Sequence, residues 1–263
     1  MASQIDFEEF RCGTAHVRIY PSQTVMANPA ADGAAVLIQA AVRQNGLARI
    51  LVATGNSQLG LLEALAARHD LDWKAVEVFH LDEYVGLPPT HPSSFRHWIK
   101  LRVEDRLHPY RMNYLNGDAA DLDAEIARYS SLLDEKPINV GFVGFGENGH
   151  IAFNDPPVAD FEDPLTVKRV LLDEACRRQQ AGEGHFQDLD AVPKEAVTVT
   201  CAALLRVGAW ICYVPDERKA AAVRDALEGP IATSCPASIV RTHPNATVFL
   251  DAGSASKLTK RPN

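Results

Sequence analysis

Short apolar runs alternate with amphipathic stretches along most of the chain. The runs Arg49 to Ala53 (RILVA), Val76 to Leu81 (VEVFHL), Ile138 to Val143 (INVGFV), Ala196 to Thr200 (AVTVT), Ala209 to Val214 (AWICYV) and Thr247 to Leu250 (TVFL) predict strands. Between them, Ala31 to Gln44, Gln58 to Arg68, Leu122 to Glu135 and Glu217 to Leu227 place apolar residues three and four apart, which predicts helices. Strands that are apolar throughout and alternate with helices imply an α/β fold: a mostly parallel sheet covered by helices on both faces. Ligands of such sheets sit where the loops after the strands converge, so those loops carry the functional reading.

The 263 residues, 46% of them hydrophobic, suffice for one large domain, and no linker or repeat divides residues 1–263. Asp160 to Pro193 stands apart, with Phe161, Gly182, Gly184 and many charges, and is expected to form a mobile lid, although an ordinary surface excursion fits the same composition. The formal charge of -8 argues against nucleic-acid or anionic-membrane partners, and an anionic small substrate would need a local cationic pocket. The first residues show no basic-then-apolar leader, and no run approaches the length of a membrane span, which points to a cytoplasmic protein. Five widely spaced cysteines without a CxxC pair read as reduced thiols. Cys201 and Cys212 fall in apolar runs, whereas the polar surroundings of Cys176 leave its reactivity open.

Three loops carry candidate chemistry. RILVA runs into Thr54, Gly55, Asn56 and Ser57 and then into a helix, an order in which Gly55 allows a tight turn, Ser57 caps the helix and free amides hold a phosphate. A plain capped turn is the bland alternative, and the lysine of a Walker A loop is missing. VEVFHL ends in Asp82, Glu83 and Tyr84; a carboxylate there, with its pKa raised by apolar neighbours, suits carbon-acid proton transfer, unless it caps a turn or pairs with Arg96. INVGFV leads into Gly144-Phe145-Gly146-Glu147-Asn148-Gly149-His150. Its GxGxxG should open a helix if it held a dinucleotide, but Pro156-Pro157 follow too soon. The glycines would instead let the backbone approach a sugar, with His150 held for acid/base work beside Asn148 and Asp155. His80, His91, His97 and His150 lie near carboxylates but show no recognised ligand spacing, so no metal and no cofactor are expected.

The segments LDEYVGLPPTHPSSF and GFGENGHIAFNDPP, following ATGNSQLG, resemble the glucosamine-6-phosphate deaminase/isomerase family, and weaker similarity extends from about Arg49 through Val192-Pro193-Lys194 and Lys219 to Gly229. The resemblance implies a Rossmann-like α/β fold and a cofactor-free conversion of glucosamine 6-phosphate to fructose 6-phosphate and ammonia. It implies that Asp82 moves a proton between C2 and C1, that His150 assists ring opening, and that Ser57, its neighbouring amides and Lys219 hold the phosphate. Three positions depart from the family pattern. Asn148 replaces an aspartate, Asp155 replaces a glutamate, and Gln179-Gln180-Ala181-Gly182 stands where a lid arginine binds phosphate, with Arg177 or Arg178 as substitutes. Loss of the charge at position 148 predicts slower ring opening, and Asn148→Asp is expected to raise the rate. Two alternatives stay open: a 6-phosphogluconolactonase-like hydrolase, and a sugar-phosphate sensor that has lost catalysis. The sequence does not fix assembly, and a homo-oligomer stays open.

Overall fold

A computed structural model of the chain describes residues 7–182, 184 and 186–259. Eleven strands are distinguished there: β1 (Glu8–Cys12), β2 (Ala15–Tyr20), β3 (Ala48–Val52), β4 (Val76–His80), β5 (Asp82–Tyr84), β6 (Arg111–Asn113), β7 (Val140–Val143), β8 (Val167–Leu171), β9 (Glu195–Val199), β10 (Ala209–Val214) and β11 (Ala246–Asp251). The α-helices are α1 (Gln23–Asn45), α2 (Leu59–Ala66), α3 (Phe95–Ile99), α4 (Asp105–Leu107), α5 (Leu122–Asp134), α6 (Glu174–Gly182), α7 (Cys201–Leu205) and α8 (Ala220–Glu228).

Eight strands form the main sheet in the order β1-β2-β11-β10-β7-β3-β4-β6, parallel except for the β1–β2 hairpin. Along β3, Ile50 and Val52 join the apolar core with α1 and α2, while Leu51 joins the one with α5, α7 and α8. Burial on both faces accounts for the unbroken apolar run that the sequence shows. The chain moves outward from β3 through β4 to β6, then returns to lay β7 on the other side of β3, so the β3–β7 boundary is the topological switch point.

Helix α1 starts at Gln23 rather than near Ala31. Ser22 caps it by accepting from Val25 N at 3.3 Å, and Met26 and Ala30 carry its buried stripe past Pro29. Among the described residues it is also the one helix long and apolar enough to cross a membrane, yet its buried stripe packs on the sheet.

Two expectations change. The run Val76 to Leu81 divides at Leu81, so that β4 ends in the main sheet and β5, bearing Asp82, turns into a second sheet. The run Ala196 to Thr200 does not join the parallel sheet: β9 lies at the centre of a three-stranded antiparallel sheet, β5-β9-β8, pairing Asp82 with Thr198. The segment read as a lid contains β8 on that sheet and α6 behind it; Glu183 and His185 of that segment lie outside the described residues.

Candidate active site

The loops after β3 and β7 flank the switch point and open a cleft of about 590 Å³. Thr54, Gly55 and Ser57 line one wall, Gly146 and His150 another, and Asp82 and Lys219 complete it. Asn56 lines an adjoining cavity together with Lys219 and Arg218. A separate cavity of about 680 Å³, bordered by Leu133, Ile138 and Val207, lies at the amino end of β7 and contains none of these groups.

Gly55 has φ 103° and ψ 163°, a backbone state that residues with a side chain rarely adopt, which fits the tight turn expected of it. Ser57 does not cap α2. It sits inside a 3₁₀ turn, Asn56–Gln58, and accepts from Gln58 Nε2 at 3.3 Å, while that same amide donates to Tyr213 O at 3.1 Å. With its oxygen already accepting from Gln58, the Ser57 hydroxyl can direct its proton into the cleft. Lys219 stands in a second 3₁₀ turn, Glu217–Lys219, just ahead of α8, and is 4% exposed. It brings the local positive charge that the acidic composition called for. Neighbouring Arg218 is held by Asp216 at 2.8 Å and lies 3.8 Å from Glu147.

Asp82 is placed by its backbone as much as by its strand. Leu115 N–H donates to His80 Nε2 at 2.9 Å, which puts the ring proton on Nδ1, from where it donates to Asp82 O at 2.9 Å. Burial above all holds the fully enclosed imidazole neutral, pushing its pKa down to about 4. The Asp82 carboxyl keeps one oxygen, Oδ1, buried without a hydrogen-bond partner. Burial first, then the charge of Glu83, push its pKa well above the usual carboxylate value. Arg96 is not its partner: the guanidinium lies 3.4 Å from Glu83 and 2.8 Å from Asp118. Glu83 also accepts from Ser94 Oγ at 2.7 Å and from the amides of Tyr84, Phe95 and Arg96, so of two adjacent carboxylates one secures α3 and the other faces the cleft.

His150 sits against Gly146, where a Cβ would come within 2.2–2.3 Å of three atoms of the imidazole ring. That glycine makes room for the ring, a more specific role than close approach to a sugar. Nδ1 of His150 lies 3.0 Å from Asp155 Oδ1, a close polar contact that is off the line of a well-formed hydrogen bond. Asn148 stands behind it, donating from Nδ2 to Asp155 Oδ1 at 3.0 Å and accepting the backbone N–H of His150 at 3.0 Å. Asn148 therefore supports Asp155 and the loop, and touches the imidazole only through Asp155. Burial alone would push Asp155 up, but contacts from His150, Asn148 and Cys176 outweigh it and leave the carboxyl below its usual value. The loop is fastened to β9, with Phe153 N donating to Thr198 Oγ1 at 3.1 Å and Asn154 Nδ2 to Val199 O at 2.9 Å.

Arg177 is turned away from the cleft. Its guanidinium donates to the carbonyls of Leu189 at 2.6 Å and Val192 at 3.1 Å, tying the following segment to α6. Arg178 is exposed and pairs with Glu174. The α6 residues that line the cleft are Gln179 and Gln180. Gln179 accepts from Glu147 N at 3.0 Å, and Gln180 accepts from Tyr84 OH at 2.8 Å. Sequence reading noted these glutamines only as a missing arginine and passed over Gln58 and the positioning role of His80. Cys176, left open as a reactive thiol, is buried and its pKa is pushed up, by burial first and then by Asp155.

The model of the family described as glucosamine-6-phosphate isomerases/6-phosphogluconolactonase matches residues 21–170. A glucosamine-6-phosphate deaminase of Lactobacillus delbrueckii subsp. bulgaricus is 35% identical over 208 residues, 79% of this chain and 86% of the relative. One from Bacillus cereus is 34% identical over 216 residues, 82% of this chain and 80% of the relative. Among solved structures, a monomeric glucosamine-6-phosphate deaminase superposes with a TM-score of 0.82 at 30% identity, over 91% of this chain and 98% of that one. A 6-phosphogluconolactonase from Shewanella baltica reaches a TM-score of 0.74 at 17% identity, over 89% and 96%, a likeness of fold. With the β3 turn, the strand-end carboxylate and the imidazole all in one cleft, the chain belongs to the glucosamine-6-phosphate isomerase/6-phosphogluconolactonase family.

Proposed function

We propose that this chain is an enzyme that converts glucosamine 6-phosphate and water to fructose 6-phosphate and ammonia. The observation that carries the reading is Asp82: a buried carboxyl with a free oxygen, its pKa raised, in the same cleft as His150, Ser57 and Lys219. A base that must take a proton from carbon and give it back works best when neither protonation state is strongly favoured, and burial moves Asp82 in that direction.

The phosphate binds Lys219, the Ser57 hydroxyl and the amides of the Gly55 turn. His150, supported by Asp155, protonates the ring oxygen as the C1 hydroxyl loses its proton, giving the open-chain aldehyde. Asp82 then removes the proton from C2 to form an enolamine and returns it to C1, leaving a C2 imine. Water adds to that imine, and the C–N bond breaks to release ammonia and the ketose. Gln179 and Gln180 offer neutral groups to the sugar where the resemblance led one to expect a cation, so phosphate affinity rests mainly on Lys219 and the β3 turn.

Ammonia release from glucosamine 6-phosphate by the purified protein tests the reading directly. Asp82→Asn should lower kcat at least ~100-fold, the scale of general acid/base catalysis, with KM changed little. Unchanged release by that variant would refute the proton-transfer role. Hydrolysis of 6-phosphogluconolactone without ammonia release would replace the reading with a lactonase.

A further inference from the structure

Cys176 is a buried nucleophile next to the reaction centre for which the mechanism above has no use. It lies on α6, 1% exposed, and its Sγ, a ring nitrogen of His150 and a carboxylate oxygen of Asp155 all fall within 4.8 Å of one another. Two potential donors in this trio, His150 Nδ1 and Asp155 Oδ2, make no well-aligned hydrogen bond, and the groups that approach them belong to the trio itself. Buried polar atoms are rarely left so poorly satisfied, and a pair of them beside one thiol is a donor set waiting for an acceptor of electron pairs.

We infer that His150, Asp155 and Cys176 form a binding site for Zn²⁺, and that filling it stops the reaction by engaging the imidazole. The inference about the reaction rests on the function proposed above; the binding site does not. An imidazole, a carboxylate and a thiolate are a donor set that suits zinc and leaves a fourth tetrahedral position for water. Zinc bonds of about 2.3 Å to sulfur and about 2.0 Å to nitrogen or oxygen require donors about 3.5 Å apart, so a modest rotation of the Cys176 side chain closes the site. Binding replaces the thiol proton, which leaves to solvent, with a Zn–S bond, and no electrons are transferred. The negative charges of Asp155, Asp173 and Asp82, which disfavour the thiolate here, favour a divalent cation.

Cobalt reports the site without substrate. Metal-free protein titrated with CoCl₂ should gain a near-ultraviolet thiolate-to-cobalt band that saturates at one metal per chain and is abolished by ZnCl₂. Cys176→Ser should lose the band, and Cys12→Ser should keep it. No band in the wild type, or a band that persists in Cys176→Ser, overturns the site. If circular dichroism shows Cys176→Ser unfolded, His150→Gln takes its place, and a band retained in that variant is equally fatal. In ammonia-release assays, zinc should inhibit the wild type and EDTA should restore it. Cys176→Ser should need more than about tenfold more zinc, since even residues that merely support a metal site act on that scale. Cobalt binding by a protein that never releases ammonia would remove the catalytic reading and leave the metal site; active enzyme with no band would do the reverse.

Discussion

Asn148→Asp restores the carboxylate that the deaminase pattern carries, and the geometry reverses the effect expected from sequence. The Asn148 amide now donates to Asp155 Oδ1 across 3.0 Å while its oxygen accepts the His150 N–H. An aspartate keeps the second bond but replaces the first with two facing carboxylate oxygens. Losing a hydrogen bond to a charged group costs about 1.5–3 kcal/mol. Two full charges 3.0 Å apart repel by about 5–6 kcal/mol at an effective dielectric of about 20. The pair escapes part of this by holding a proton, at about 1.4 kcal/mol for each pH unit above a carboxyl's ordinary value near 4, or about 2 kcal/mol at pH 5.5 and about 4 kcal/mol at pH 7. Asn148 is only half-buried, and solvent screening halves the repulsion to about 2.5–3 kcal/mol, which is then the most that holding the proton can cost at pH 7. The folded variant then binds a proton that its unfolded chain has already released, so stability falls as pH rises from about 4 through the raised pKa. Wild-type Asp155, held low, contributes stability that is present above the ordinary carboxyl value and lost only as pH falls through its folded value. Urea unfolding of both proteins at about pH 5.5 and about pH 7 should show a deficit that grows with pH by roughly 1 kcal/mol, alongside slower ammonia release. A variant as stable as wild type at neutral pH and faster in turnover would show that Asn148 does not support Asp155 in this way.

Gly146→Ala should fold, because the backbone there is not left-handed, but its methyl would displace the imidazole. Loss of kcat by at least ~100-fold with an unchanged circular dichroism spectrum is expected, and near-normal kcat would mean the ring is not held against that glycine. Lys219→Ala and Arg177→Ala separate two basic residues that sequence treated alike. The first should raise KM by roughly tenfold or more, an effect that shrinks as salt is added. The second should leave KM near wild type and lower the unfolding midpoint, with about 1–3 kcal/mol lost at the carbonyls of Leu189 and Val192. Equal KM effects would place Arg177 in the cleft after all.

What the sequence disclosed follows from what is local. The apolar runs of β3, β7 and β10 are buried on both faces and announce themselves, and the turn at Gly55 and the loop to His150 follow them directly. Non-local choices were hidden. Nothing in VEVFHLDEY marks Leu81 as the place where one sheet ends and another begins, because the strands on either side of it are both buried throughout, the charged Asp82 and Glu83 included. Nothing in AVTVT distinguishes a parallel strand from the antiparallel β9. The partners of charged groups were hidden for the same reason: Glu83 rather than Asp82 receives Arg96, and Arg177 closes a loop instead of binding an anion. A side chain's partner is set by three-dimensional packing, and only neighbours within a turn or a strand can be read from spacing.

The small sheet β5-β9-β8 acts as a ruler. Its middle strand carries Thr198 opposite Asp82, and the same threonine receives Phe153 N from the histidine loop. The spacing between Asp82, the proposed proton carrier, and the loop that bears His150, the proposed ring opener, is therefore set through one strand, independent of the length of the connections around it. Insertions or deletions in the connection between α6 and β9 leave that spacing fixed. A scaffold of this kind lets substrate choice diverge among descendants that share one proton-transfer geometry.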